Sequence, residues 1–240
     1  MQNKYPQKPG IDFILKQVFF YWNKTLVFQL MFSIMYFGIF MTVFFICNTK
    51  YEIISQMNEV SKYMQQGMKI YMEEFNKVIA TENYQSFYLW MMGTSIFLYP
   101  LNIGFYQIYR KIDLNEKPEL GDLFVGYSGL NFFKYVSFYI FWYCVFRFTA
   151  PTIILTVIWV MITLFAAPLM FFQNKTIFES IALNWKALKM YFIEIFVCVI
   201  VAFLFKYVGF AVFFIGGLFT FPFWNAMIYS LYKAVFSDKS

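Results

Sequence analysis

Residues 25–49, TLVFQLMFSIMYFGIFMTVFFICNT, run between Lys24 and Lys50 without a charge. A helix rising 1.5 Å per residue needs about 20 apolar residues to cross a hydrocarbon layer about 30 Å thick, so this stretch is long enough to span a bilayer. Three more charge-free stretches follow: Glu82 to Arg110, Arg147 to Lys175 and Lys206 to Lys233, enclosing 27, 27 and 26 residues. Four membrane-length apolar runs in 240 residues set the fold class as an all-α, polytopic transmembrane helical bundle.

The composition agrees. The chain is 61% hydrophobic, 25% aromatic and 13% charged, with a mean hydropathy of +0.58. A soluble domain carries about 25% charged residues, roughly twice as many. The net charge of +6 comes from 19 Lys and Arg against 13 Asp and Glu. In an apolar chain this bias sets membrane orientation, so no nucleic-acid partner is expected. The first 24 residues are mixed polar and amphipathic with no small-residue cleavage site, which predicts that the first apolar run is itself the insertion signal.

Two shorter segments decide the number of crossings. Residues 131–149 carry Lys134 and Arg147 near their ends, and residues 190–208 carry Glu194 and Lys206. Long basic side chains reach from helix ends to the headgroups, so both segments can cross. With six spans and a cytoplasmic N-terminus, 13 of the 19 basic residues fall inside, Lys4, Lys8 and Lys239 among them; with four spans only 11 do. The stronger asymmetry predicts six spans, at about 25–47, 85–109, 131–149, 151–172, 190–208 and 210–232 of a single membrane domain 1–240, with both termini cytoplasmic.

Residues 11–24 place Ile11, Ile14, Leu15, Val18 and Phe19 at helical spacing, and 176–189 do so with Ile177, Ile181, Leu183 and Leu188. Both read as amphipathic interfacial helices, with Trp22 and Trp185 near their ends. The connection 48–84 is long and polar, and Ile53, Met57, Val60, Met64, Tyr71, Phe75 and Val78 recur close to every 3.5 residues. This predicts an extracytoplasmic helical insertion, a hairpin or bent helix interrupted at Gly67, whose apolar stripe packs onto the chain's own spans or the bilayer surface or else docks a protein partner.

The counts remove many chemistries. There is no histidine, so histidine-ligated metals and Ser–His or Cys–His nucleophile pairs are excluded. Cys47, Cys144 and Cys198 are isolated within apolar stretches, and no phosphate-binding glycine motif occurs. No catalytic residue, cofactor site or metal site is expected. Asp113, Glu116, Glu119 and Asp122 match no calcium loop and lie beside Arg110, Lys111 and Lys117, which predicts a solvated loop over 110–128.

The tentative functional residues are of two kinds. Glu194, Lys206 and Arg147 are ionisable groups within or beside spans: Glu194 reads as an interfacial solvated carboxylate or, if buried, as a ligand for a cation or a lipid headgroup, and Lys206 and Arg147 as basic side chains reaching to phosphates. Pro100 and Pro222 break spans, and their surroundings are alike. Pro100 precedes Asn102 and Tyr106-Gln-Ile-Tyr109-Arg110; Pro222 precedes Asn225 and Tyr229-Ser-Leu-Tyr232-Lys233. With Pro168, these prolines free carbonyls that neighbouring helices must satisfy. The parallel suggests a weak internal repeat of the kind transporters carry.

A resemblance rests on Asn115-Glu-Lys-Pro-Glu-Leu-Gly-Asp-Leu-Phe-Val-Gly-Tyr127, Ala167-Pro-Leu-Met-Phe-Phe, Ile177-Phe-Glu-Ser-Ile-Ala-Leu-Asn-Trp185 and Gly216-Gly-Leu-Phe-Thr-Phe-Pro222. In these the chain resembles bacterial six-span integral membrane proteins of unknown function, related to the membrane domain of membrane-anchored glycerophosphodiester phosphodiesterases. The resemblance implies the six-span fold over most of the chain outside 48–84. It carries over no catalytic residue, since the phosphodiesterase domain is not in these 240 residues.

Three functions follow as expectations: a non-catalytic scaffold or accessory subunit of a membrane complex, a small transporter or lipid-handling protein, and a membrane-embedded enzyme. The first agrees best with the missing chemistry. Abundant Phe, Ile, Lys, Asn and Tyr with few Ala point to an AT-rich bacterial genome, and long apolar runs to the cytoplasmic membrane, with membrane lipids as the surrounding partners.

Overall fold

The computed structural model describes residues 10–212 and 214–236. Lys4, Lys8 and Lys239, used above for orientation, lie outside the described residues. The described chain is helical and contains no strand. Three stretches are long and apolar enough to cross a membrane: Leu26–Tyr51, Ile153–Phe172 and Phe192–Ala211. This is a helical membrane protein.

The chain divides into two compact units. One contains the residues up to Ile34 together with those from Tyr99 onward, and the other is Met35–Leu98. The larger unit begins with α1 (Ile11–Lys24), which continues after Thr25 into α2 (Leu26–Tyr51). The predicted amphipathic face of α1 is real: Ile14, Val18 and Tyr21 are buried. They pack against other helices, chiefly α13 (Phe223–Phe236) and α11 (Phe192–Val212). The Trp22 ring meets Phe205 edge-on at 5.3 Å. The face expected at the bilayer surface is therefore largely a protein contact.

The other expected spans are helical, and 85–109, 151–172 and 210–232 are broken. Residues 85–109 divide between α5 (Glu82–Leu98) and α6 (Leu101–Asp113) at Tyr99-Pro100. Residues 131–149 form one helix, α7 (Asn131–Thr149). Residues 151–172 divide into α8 (Ile153–Thr163) and α9 (Ala166–Phe172). Residues 210–232 cover the end of α11, α12 (Phe214–Thr220) and most of α13, with a break at Phe221-Pro222. Proline supplies no N–H and its ring crowds the carbonyl four residues earlier, so the interruptions fall beside Pro100, Pro168 and Pro222.

Residues 110–128 differ from the expected solvated loop. Leu120–Tyr127 form a 3-10 helix closed by a reciprocal Glu119–Asp122 capping box, and Leu123 is 1% exposed. This turn packs along α6. A Cβ on Gly104 would collide with the Leu123 backbone, and one on Gly126 with the Pro100 carbonyl oxygen. Only glycine permits backbones to approach so closely. Lys111 Nζ lies 2.8 Å from Asp122 Oδ1, with both side chains largely covered. Residues 114–119, Leu-Asn-Glu-Lys-Pro-Glu, remain largely at the surface.

Between α9 and α11, α10 (Ile177–Met190) matches the second predicted amphipathic helix. Thr176 and Glu179 cap it reciprocally. Trp185 stays exposed, with Lys189 Nζ 5.3 Å from its ring centroid.

In the smaller unit, the predicted insertion is helical: α3 (Ile53–Ser61), a 3-10 turn Lys62–Gln66 and α4 (Met68–Ile79). Gly67 at φ 119° makes the turn, a conformation open to glycine. The two helices contact each other and α5. The predicted stripe is only partly covered, since Ile53 and Val60 are buried while Met64 is exposed. Phe44 of α2 packs edge-on against Phe87 of α5 at 5.7 Å.

Candidate functional site

The proline breaks organise the interior of the larger unit. Pro222 cannot donate to the Leu218 carbonyl, and Ser33 Oγ of α2 donates there instead at 2.6 Å. The next carbonyl, Phe219, accepts from Trp22 Nε1 at 2.8 Å. Between α8 and α9, the buried Asn184 of α10 bridges the break with both ends of its amide. Its Nδ2 donates to the Met161 carbonyl at 2.7 Å, and its Oδ1 accepts from the Phe165 N–H at 3.4 Å. An unpaired backbone group in an apolar interior costs a few kcal/mol, so these two breaks are each tied to a side chain from another helix.

The two sequence-predicted proline–asparagine pairs come together. Asn225 Nδ2 donates to Asn102 Oδ1 at 3.1 Å, joining the starts of α13 and α6. Asn102 Nδ2 in turn donates to the Tyr99 carbonyl beside Pro100 at 3.0 Å. Pro100 and Pro222 are buried. The two similar segments are thus in contact.

The same two helices meet again at their C-terminal ends. Asp113, the last residue of α6, accepts from Tyr21 at Oδ1 and from Tyr229 at Oδ2, each at 2.5 Å. Lys233 Nζ lies 2.9 Å from the same Oδ2 and 3.0 Å from the Tyr21 hydroxyl. Tyr21, Tyr109 and Tyr229 form a triangle of rings with centroids 5.2 to 5.3 Å apart. Gln29 Nε2 extends the network, donating to the Tyr109 hydroxyl at 3.4 Å and to Thr25 Oγ1 at 3.0 Å.

Helical spacing explains the convergence. Tyr229 and Lys233 are four apart on α13 and so share a face; Tyr21 follows Ile14 and Val18 on the buried face of α1. Burial pushes the Tyr21 phenol well above its usual range, and the Asp113 carboxylate that accepts its proton adds to the effect. Asp113 thus has both oxygens occupied and its charge balanced by Lys233. Such a carboxylate braces three chain segments through charge-assisted hydrogen bonds.

The sequence puts Asp113 beside Arg110, Lys111 and Lys117, but its cation is Lys233, 120 positions along the chain. Sequence reading missed the cluster; the available signal was the Tyr-x-x-x-Lys spacing at 229–233, one turn after Asn225.

The ionisable candidates belong to other elements. Glu194 lies in the first turn of α11, partly covered, and Arg147 in the last turn of α7, exposed. The Lys206 ammonium sits 4.5 Å from the Phe221 ring centroid and 5.8 Å from that of Tyr207. These are cation–π seats rather than a paired site. Among the described residues no three Cys, Asp or Glu side chains are grouped as metal ligands. Comparison with family models, with curated proteins and with solved structures finds no match to this chain.

Proposed function

We propose that this chain is a non-catalytic, multi-pass protein of the bacterial cytoplasmic membrane that serves as a scaffold or accessory subunit of a membrane complex. The reading takes six crossings with both termini cytoplasmic, which places 48–84 outside. It includes the relationship to six-span membrane domains suggested by the Gly, Pro and aromatic stretches.

One observation carries it. The insertion leaves Ile54, Met64, Met68, Ile70 and Met72 between 38 and 69% exposed on short amphipathic helices. Methionine is unbranched and polarisable, suited to a contact surface that adapts to its partner. By contrast, the polar side chains of the Asp113 cluster and the proline breaks are engaged with one another and with freed carbonyls. That division favours a protein that holds its own shape and offers an apolar contact.

The test is purification from native membranes in mild detergent, followed by mass spectrometry. A partner in fixed stoichiometry is expected; a chain that always purifies alone contradicts the proposal and favours transport or lipid handling.

A further inference from the structure

The smaller unit carries an open furrow between α2 and α5. Its volume is about 500 Å³, and Ile39, Val43, Leu89, Trp90, Gly93 and Phe97 supply most of its walls. Ile39 and Val43 are four apart on α2, and Leu89, Gly93 and Phe97 are each four apart on α5, so each helix contributes one face, with Trp90 beside it. Val43, Tyr51 and Trp90 also line a second hollow of about 250 Å³ that reaches Lys50, so the two adjoin. Tyr51, Ser86 and Thr94 line the furrow as well; Thr94 donates its hydroxyl to the Trp90 carbonyl at 2.8 Å, and apolar side chains supply the larger part of the wall. The Lys50 ammonium stands at the end of α2, 5.2 Å from the Tyr51 ring centroid.

We infer that this furrow binds an anionic glycerophospholipid, with one acyl chain along Ile39–Ile46 and the phosphate at Lys50. The argument is one of charge and depth. α2 is a membrane-length helix, so its middle lies among acyl chains and its charged last turn among headgroups. From Ile39 to Lys50 the helix rises about 16 Å, a run of apolar wall ending in one cation. That pattern is complementary to an amphiphile with an anionic head and a single extended chain. Trp90 is 58% exposed beside the furrow, a flat wall for a methylene chain. At Gly93 nothing lies within 4 Å of an added Cβ, so the floor is open. The inference rests on the furrow and Lys50 and stands independently of any protein partner at 48–84.

The test uses the full chain in nanodiscs of equimolar phosphatidylglycerol and phosphatidylcholine, with retained lipid counted by native mass spectrometry. One lysine at a charged lipid surface is worth a factor of about five, so retention should favour phosphatidylglycerol about fivefold. Lys50→Gln should bring that ratio close to even without changing thermal stability. Gly93→Leu fills open space without a backbone clash and should lower the total lipid retained. The inference is overturned if the ratio is the same in wild type and K50Q, or if G93L retains as much lipid as wild type. It is also overturned if the furrow is closed by a second protein chain, seen as a lipid-free dimer. Since K50Q alters only an exposed side chain, it decides the headgroup preference even where G93L folds poorly.

Discussion

Ser33 donates to the carbonyl of Leu218 across 2.6 Å, and Leu218 is the residue whose helical partner is lost to Pro222. A hydroxyl on α2 thus replaces the bond that proline removes from the α12–α13 segment. Ser33→Ala should cost about 1 kcal/mol, in keeping with interhelical hydrogen bonds in membranes. In a Pro222→Ala background the carbonyl can regain a backbone donor, so the same substitution should then cost measurably less. Thermal unfolding of the four proteins in one detergent gives the coupling; strictly additive penalties would show that Ser33 does not serve the break.

Asp113 ties α1, α6 and α13 through Tyr21, Tyr229 and Lys233. Asp113→Asn keeps the shape and loses the charge, and should destabilise the protein by about 2–3 kcal/mol. Tyr21→Phe and Tyr229→Phe should be non-additive, since both phenols donate to one carboxylate.

The pH dependence has a definite sign. Tyr21 binds its proton more tightly when folded, so its contribution is complete below pH 10.0 and is lost as pH rises beyond it. Stability of the wild type should fall above that pH, and the fall should be shallower in Tyr21→Phe. Equal slopes would remove Tyr21 from the account.

Gly104 and Gly126 let the 3-10 turn lie against α6 and the Pro100 break. Alanine at either position meets backbone rather than a movable side chain, and should cost about 1–3 kcal/mol. Gly38→Ala, where nothing lies within 4 Å of the added Cβ, is the control and should be neutral or mildly stabilising. A neutral Gly104→Ala would mean that the turn does not pack as described.

The α10 cap gives an acid-side prediction. Hydrogen bonds from the Thr176 backbone and hydroxyl hold the Glu179 carboxyl below its usual range. A depressed carboxyl contributes stability above its ordinary pKa of 4.5 and loses it as pH falls through the folded value. Thr176→Ala should cost about 1 kcal/mol at neutral pH. The difference between wild type and Glu179→Gln should shrink toward low pH, and a pH-independent difference would contradict the cap.

Much of this architecture was legible in the sequence. The two amphipathic helices at 11–24 and 176–189, the insertion at 48–84 and the proline breaks follow from hydrophobic spacing and from proline's missing donor. The meeting of Asn102 with Asn225 was not, although both had been singled out as parts of similar segments. Similarity in sequence does not state contact in space. The pairing of Asp113 is hidden because three basic residues stand beside it in sequence, while its cation arrives from a helix far along the chain. The 3-10 packing at 120–127 escaped notice because glycine reads equally as loop flexibility and as close backbone approach.

The central claim is that the insertion is a contact surface separable from the membrane fold. Its most direct test replaces residues 51–80 with a short Gly–Ser linker and compares co-purification from native membranes in mild detergent. The account predicts that the deleted protein still inserts and extracts as before while its stoichiometric partner is lost. A partner that co-purifies unchanged with the deleted chain would contradict it.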